Sequence, residues 1–195
     1  MKIIKTDINN IDLNQDTKGL QGIWRSYLLA DAGQEHYKLL AYMAHHFSGA
    51  TLIELGTFKG VGTVALASNP TNKIITYDIM DQRLFDPTSN IEFRLGNIFD
   101  RKEERQLIDT PLIFLDTAHD GVFEARVYQY LCDNHYQGLL LLDDITLNDR
   151  MRHFWNSIRE QKYDLTDVGH GAKSRFGTIP GTGVVDFGNN LMVQN

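Results

Sequence analysis

The chain alternates between short runs that are apolar at every position and longer stretches with apolar residues three and four apart. The continuous runs stand at residues 51–56 (TLIELG), 73–79 (KIITYDI), 90–96 (NIEFRLG), 111–116 (PLIFLD) and 137–145 (QGLLLLDDI). Centres such as LIFL and LLLL have no polar face, the pattern of parallel strands covered on both sides. Between them, helical periodicity predicts helices over residues 60–68, 101–108, 121–134 and 148–161. Ahead of the first strand, EHYKLLAYMAHHF places Tyr37, Leu40, Ala41, Ala44 and Phe47 on one helical face, and Gly49 is expected to end that helix. Strands alternating with helices in this way build a doubly wound, Rossmann-like α/β sheet of parallel strands.

The tail departs from the alternation. Residues 163–170 and 181–188 both read as extended, and a loop rich in Gly, Lys, Ser and Pro joins them. A connection without a helix predicts a hairpin, hence antiparallel pairing at one edge of the sheet. The expected architecture is five parallel strands plus a C-terminal antiparallel hairpin, seven strands in one sheet. Residues 1–20 are polar with scattered Ile and Leu, so residues 1–33 are expected as an N-terminal arm or cap on a single domain spanning 1–195.

Composition narrows the function classes. With 195 residues, 42% hydrophobic and 23% charged, the chain is a soluble globular protein of one full core. A formal charge of −6 without a basic cluster argues against a nucleic-acid partner. The longest apolar stretch, Gly138 to Leu142, is too short to cross a bilayer, and the N-terminus lacks the apolar core of a signal peptide. Cys132 is the only cysteine, which excludes an intramolecular disulfide and a multi-cysteine zinc site. A cytoplasmic location is the expectation.

The candidate chemistry begins where the first strand ends. Glu54 closes the run, and Gly56, Gly60 and Gly62 follow before a helix starts, a turn in which backbone can approach a ligand closely. Asp78 closes the second strand, where an acid can bind the two hydroxyls of a ribose. The spacing of Glu54, Gly56 and Gly60, E-x-G-x-x-x-G, differs from the dehydrogenase G-x-G-x-x-G, because Thr57 and Phe58 follow Gly56. This spacing, Asp78, and five parallel strands closed by a hairpin together resemble the class I S-adenosylmethionine (SAM)-dependent methyltransferases. The resemblance implies SAM as cofactor, held at Glu54, Gly56, Thr57, Phe58, Gly60, Asp78, Gly96, Asn97, Ile98 and Asp116.

Asp116 ends the fourth strand and Asp143-Asp144 the fifth, 27 residues on from Asp116 to Asp143. Neighbouring parallel strands bring such acids together above the sheet, and three carboxylates on one spot repel unless a cation neutralises them. The pattern is similar to metal-dependent O-methyltransferases of the catechol type, and to the macrolide-sugar O-methyltransferases and cephalosporin-hydroxylase-like proteins. That resemblance implies a divalent cation, Mg²⁺ by preference, at Asp116, Asp143 and Asp144. It implies His119 as the general base, at the place where sugar-modifying relatives carry the histidine of D-x-D-H; Ala118 here replaces the second aspartate. The ordinary pKa of histidine, about 6.5, suits proton abstraction at neutral pH. The acceptor it implies is a hydroxyl on a small molecule or a glycoside, with Asn148, Asp149 and Arg150 available to line a polar site. With no evident lid insertion, the acceptor side is expected to be completed by a large acceptor or by a second subunit in a homodimer. The competing readings are a metal-independent N- or carboxyl-methyltransferase and a non-catalytic SAM-binding protein.

The remaining polar residues have plainer readings. Asp120 is expected to cap the helix after the fourth strand. His45-His46 ends its helix, where imidazolium favours the dipole. His36 is expected in solvent, His170 in a structural role in the hairpin, Cys132 as a core thiol, and Trp24 and Trp155 as packing residues.

Overall fold

The computed structural model describes residues 1–86, 88–168 and 180–193. The predicted runs form the strands β2 (Thr51–Leu55), β3 (Lys73–Asp78), β4 (Ile91–Leu95), β5 (Leu112–Leu115) and β6 (Leu139–Asp143). Two tail strands follow, β7 (Gln161–Asp164) and β8 (Thr182–Asp186). The order across the sheet is β4-β3-β2-β5-β6-β8-β7. All neighbours from β4 to β6 pair in parallel, and β8 runs antiparallel to both β6 and β7. The strand order reverses direction between β2 and β5, so the loops leaving their carboxyl ends frame a crevice.

The pleat sorts the apolar strands into two cores. Leu52, Ile74, Leu112, Phe114, Leu139 and Leu141 face one side, covered by α3 (Tyr37–His45) and α4 (Val61–Leu66). Ile53, Ile75, Ile113, Leu115, Leu140 and Leu142 face the other, covered by α5 (Val122–Asp133) and α6 (Asp149–Ser157). This is the consequence of strands apolar on both faces.

Several expectations need correction. Residues 1–33 lie against the first core as a structured segment, where an arm or an irregular cap was expected. They contain β1 (Lys2–Ile3), α1 (Lys5–Asn9) and α2 (Gly22–Leu29), and β1 pairs in parallel with β9 (Met192–Val193) in a small separate sheet. The scattered apolar residues Ile3, Ile8, Leu13, Leu20 and Leu28 are all buried in the first core, which is why so polar a segment folds back. The segment expected as a helix over 101–108 keeps only a 3₁₀ turn at Glu104–Leu107. The helix expected over 148–161 stops at Ser157, because Ile158 turns extended and Gln161 already belongs to β7. Lys162 caps the freed helix end, donating to the carbonyl of Ile158 at 3.0 Å. α3 closes at His45 rather than at Gly49, whose φ of +66° turns the chain into β2 instead. Cys132 is half-buried with its sulfur 3.6 Å from Glu160, not sealed in the core. Asp120 caps α5 as expected, accepting from the N–H groups of Val122 and Phe123. His46 Nδ1 lies 2.9 Å from the Tyr42 carbonyl at the end of α3. His170 lies outside the described residues. Among those described, no helix is long and apolar enough to cross a membrane.

Candidate functional site

The crevice is assembled from four loops. After β2, Gly56 takes φ +98° and its N–H donates to the Tyr77 carbonyl at 2.8 Å. A Cβ at Gly56 would lie 1.6 Å from the carbonyl oxygen of Asp116, so only glycine lets the β2 and β5 loops touch. Phe58 follows at φ +44°, and its N–H donates to Asp78 at 2.7 Å. The other Asp78 oxygen accepts from Met80 N–H at 3.0 Å. Each carboxylate oxygen therefore keeps a lone pair for a further donor. After β4, the Gly96 N–H donates to the Asp78 carbonyl at 2.7 Å, which brings Gly96 and Asn97 beside Asp78.

These loops surround a cleft of about 490 Å³. Of the residues expected at the cofactor, Gly56, Phe58, Asp78, Gly96, Asn97, Ile98 and Asp116 line it, with His119 at the same cleft. Tyr77, Met80 and Phe123 also line it. Glu54, Thr57 and Gly60 do not; they hold the turn from beneath. Glu54 is buried and accepts from Thr63 and, at 2.5 Å, from Thr76. Thr57 is 2.5 Å from the same Thr76 hydroxyl. Gly60, at φ +86°, leaves room for the Phe85 ring, 2.1 Å from where its Cβ would stand. Burial pushes the Glu54 carboxyl up to about 8 despite the two threonine donors. The acid of the glycine turn is therefore a neutral structural group at neutral pH.

The second half of the site is a cluster of aspartates and histidines at the carboxyl ends of β5 and β6. Asp116 and Asp143 lie with His36 so that one ligand atom from each falls within 4.8 Å of the others. Asp143 and Asp144 do the same with His119. His119 Nε2 is 3.2 Å from Asp116 and 3.6 Å from Asp144, and His36 Nδ1 is 3.2 Å from Asp143. The three strand-end aspartates are thus linked through two imidazoles rather than standing alone. His119 and Asp144 both adopt left-handed backbone, φ +53° and +56°, at which non-glycine residues are uncommon. The His119 conformation is held by Glu124, a buried carboxylate that accepts from the N–H of His119 at 3.0 Å and of Gly121 at 2.9 Å. Asn148 fixes the following peptide, donating to the His119 carbonyl at 2.8 Å.

Electrostatics follow from this crowding. Burial and the Asp143 charge raise Asp116, opposed by His119. Burial and Asp143 likewise push Asp144 up to about 7. For His119, burial favours the neutral ring, but contact with Asp116 and the charges of Asp144 and Asp143 outweigh it and bring the ring to about 9. This corrects the expectation of a ring poised near its ordinary value. Surrounded only by these carboxylates, His119 holds its proton at neutral pH. His36 is also corrected: it is 2% exposed rather than solvated. Burial lowers its pKa, and Asp143, Asp116 and Glu35 more than reverse this, to about 9.

Two signals in the sequence locate His36. It falls three, four, seven and eight residues before Leu39, Leu40, Met43 and Ala44, all buried, so it lies on the inward face of α3. α3 also leads into the start of β2, so its own beginning must lie at the opposite, carboxyl end of the sheet. Of the acceptor-side candidates, Asn148 is committed to His119 and to capping α6. Arg150 and Asp149 lie exposed. Trp155 is buried in the second core, and Trp24 stands edge-on to Phe58 at 5.5 Å.

No family model matches the sequence, and no curated protein matches it either. Similarity appears among solved structures. Cofactor-bound Rv0187 from MTB superposes with a TM-score of 0.57 at 15% identity, covering 79% of this chain and 80% of that one. The O-methyltransferase from Bacillus cereus in complex with SAH gives 0.52 at 16% identity, covering 77% of this chain and 80% of that one. At such identities the likeness is one of fold, and the fold of this chain is the seven-stranded fold of class I SAM-dependent methyltransferases.

Proposed function

We propose that the chain is a SAM-dependent methyltransferase that methylates a hydroxyl oxygen of a small molecule or glycoside, assisted by a divalent cation. The observation that carries this reading is the continuity of one cleft. Asp78 and the Gly56 turn line one part of it, and Asp116 and His119 line another. A methyl donor and an acceptor therefore have adjoining seats. Asp78 would hold the ribose hydroxyls, Gly56 would face the methionine part, and Gly96, Asn97 and Ile98 would border the adenine. The Bacillus cereus neighbour, an O-methyltransferase with SAH, favours the same chemistry.

The donors fit a divalent cation in two overlapping sets, Asp116 and Asp143 with His36, and Asp143 and Asp144 with His119, whose carboxylates supply hard oxygen ligands. When bound, such an ion neutralises the carboxylates, lowers the pKa of a coordinated hydroxyl and fixes its direction. With the carboxylates so neutralised, His119 would no longer be held protonated by them and, on the cleft side, could accept the hydroxyl proton. The acceptor oxygen would attack the sulfonium methyl in line, the O–CH3 bond forming as the S–CH3 bond breaks and S-adenosylhomocysteine leaves, and most of the rate gain would come from positioning, because the donor is already activated.

One observation favours a second reading, a metal-independent transfer to nitrogen or to a carboxylate. The imidazoles of His36 and His119 stand 3.2 Å from Asp143 and from Asp116, where they can offset part of the aspartate charge without an ion. Calorimetric titration of SAM, with Mg²⁺ and again with EDTA, tests both. SAM binding abolished by Asp78→Ala, together with chelator-sensitive transfer to sugar or vicinal-diol hydroxyls, supports the main reading. Transfer indifferent to chelator supports the second, and no SAM binding under any condition overturns both. The open acceptor side would be completed by a bulky acceptor or by a second copy, and gel filtration distinguishes the two.

A further inference from the structure

We propose that His36 is itself a metal ligand, so that with Asp116 and Asp143 it forms a mixed imidazole–carboxylate centre selective for a first-row transition ion such as Mn²⁺ over Mg²⁺. The inference rests on the divalent-ion part of the function proposed above. It adds a ligand from a different part of the chain and changes the ion expected.

The two histidines face different surroundings. His119 is at the cleft, where an acceptor proton can reach it. His36 does not line the cleft; it is 2% exposed and approaches the aspartates from α3, behind them. A base must meet substrate, so His36 is in the wrong place for one. It is in the right place to ligate, because its ring, Asp116 and Asp143 bring one ligand atom each within 4.8 Å of the others. The ring is also held. Phe114 meets it edge-on at 5.4 Å and Tyr37 at 4.6 Å, each at a steep angle. Placing an imidazole in a protein interior beside carboxylates carries a desolvation cost that a purely structural position could avoid with an apolar residue.

Ion choice follows from donor type. Mg²⁺ is a hard ion served by carboxylate and water oxygens, and all-oxygen sets suit it. Imidazole nitrogen shifts preference away from Mg²⁺ towards first-row transition ions, and of these Mn²⁺ is the one that carboxylates also suit. Three aspartates alone point to Mg²⁺. The buried histidine that joins two of them points away from it.

The test is calorimetric titration of Mn²⁺ and of Mg²⁺ into the protein, followed by pulsed electron paramagnetic resonance of bound Mn²⁺ for coupling to ¹⁴N. The expected result is Mn²⁺ binding at least about 10-fold tighter than Mg²⁺, with nitrogen coupling present. His36→Ala should lose about 10–100-fold in Mn²⁺ affinity, with Mg²⁺ affinity little changed, while SAH binding shows that the variant is folded. His119→Ala, which leaves the buried ring in place, should keep the nitrogen coupling, and this arm stands even if His36→Ala does not fold. An ion that binds without nitrogen coupling in His119→Ala overturns the role of His36 and leaves the divalent-ion reading intact. SAH binding with no ion bound at all overturns both.

Discussion

Gly56 and Asp116 meet backbone to backbone: a Cβ on the glycine would stand 1.6 Å from the aspartate carbonyl oxygen. The contact ties the Gly56 turn to the loop that presents Asp116 and His119. Gly56→Ala must therefore push the two loops apart and also place alanine at φ +98°. Together these should cost about 3 kcal/mol or more. Urea unfolding of the variant checks this; a loss under about 1 kcal/mol would mean the loops separate freely. A folded remnant should bind SAM weakly, since the turn and Asp116 border the same cleft.

Glu54 predicts a pH dependence of stability. Its carboxyl is raised from 4.5 to about 8 by burial, so the folded state holds a proton that the unfolded chain releases. Folded protein then binds more protons than unfolded protein between those values. Its contribution is fully present below pH 4.5 and is lost as pH rises through 8, at up to about 1.4 kcal/mol per pH unit. Glu54→Gln mimics the protonated form and keeps an acceptor for Thr63 and Thr76. Its stability should fall less than the parent's between pH 5 and 8 and exceed it at the alkaline end. Parallel denaturation curves across that range would show that Glu54 is ionised when folded.

The fold was legible because strands with no polar face and a helix-free tail leave few arrangements open. The placement of candidate residues at the crevice and the strand ends was legible where a residue type is demanded by backbone geometry or by strand ends: Gly56, Asp78, Asp116, Asp143 and Asp144. It was less legible where burial decides. Glu54 looks like a ligand-facing acid in sequence, yet the strand pleat turns it inward onto Thr63 and Thr76. His36 looks solvated beside Glu35, yet α3 periodicity carries it onto the inward face with Leu39 and Leu40. The early helix α1 and strand β1 escaped because their few apolar residues, Ile3 and Ile8, belong to long-range packing and not to a local period.

Asp78 accepts two backbone N–H bonds on its own account, from Phe58 and Met80. Asp78→Asn keeps its shape but offers only one acceptor atom, so one N–H loses its partner and the charge is gone. The loss expected is about 1.5–3 kcal/mol, read as roughly 10–100-fold weaker SAM binding by calorimetry. Stability should fall too, because the Phe58 turn is held by the same carboxylate. A variant that binds SAM like the parent would remove Asp78 from the donor site.

Asn148 joins two tasks that substitution can separate. Its oxygen accepts from Met151 N–H at 3.0 Å and caps α6, while its nitrogen donates to the His119 carbonyl at 2.8 Å. Asn148→Ala removes both and should cost about 1 kcal/mol from the cap alone. Asn148→Asp keeps the cap, since Asp and Asn serve there about equally, but loses the donor to His119. If the Asn148 amide positions the imidazole, methyl transfer should fall about 10-fold in both variants while SAM affinity holds. Only Asn148→Ala should then lose the full cap contribution to stability. If activity instead tracks stability, falling in Asn148→Ala and recovering in Asn148→Asp, Asn148 serves α6 and the left-handed turn at His119 stands on Glu124 alone.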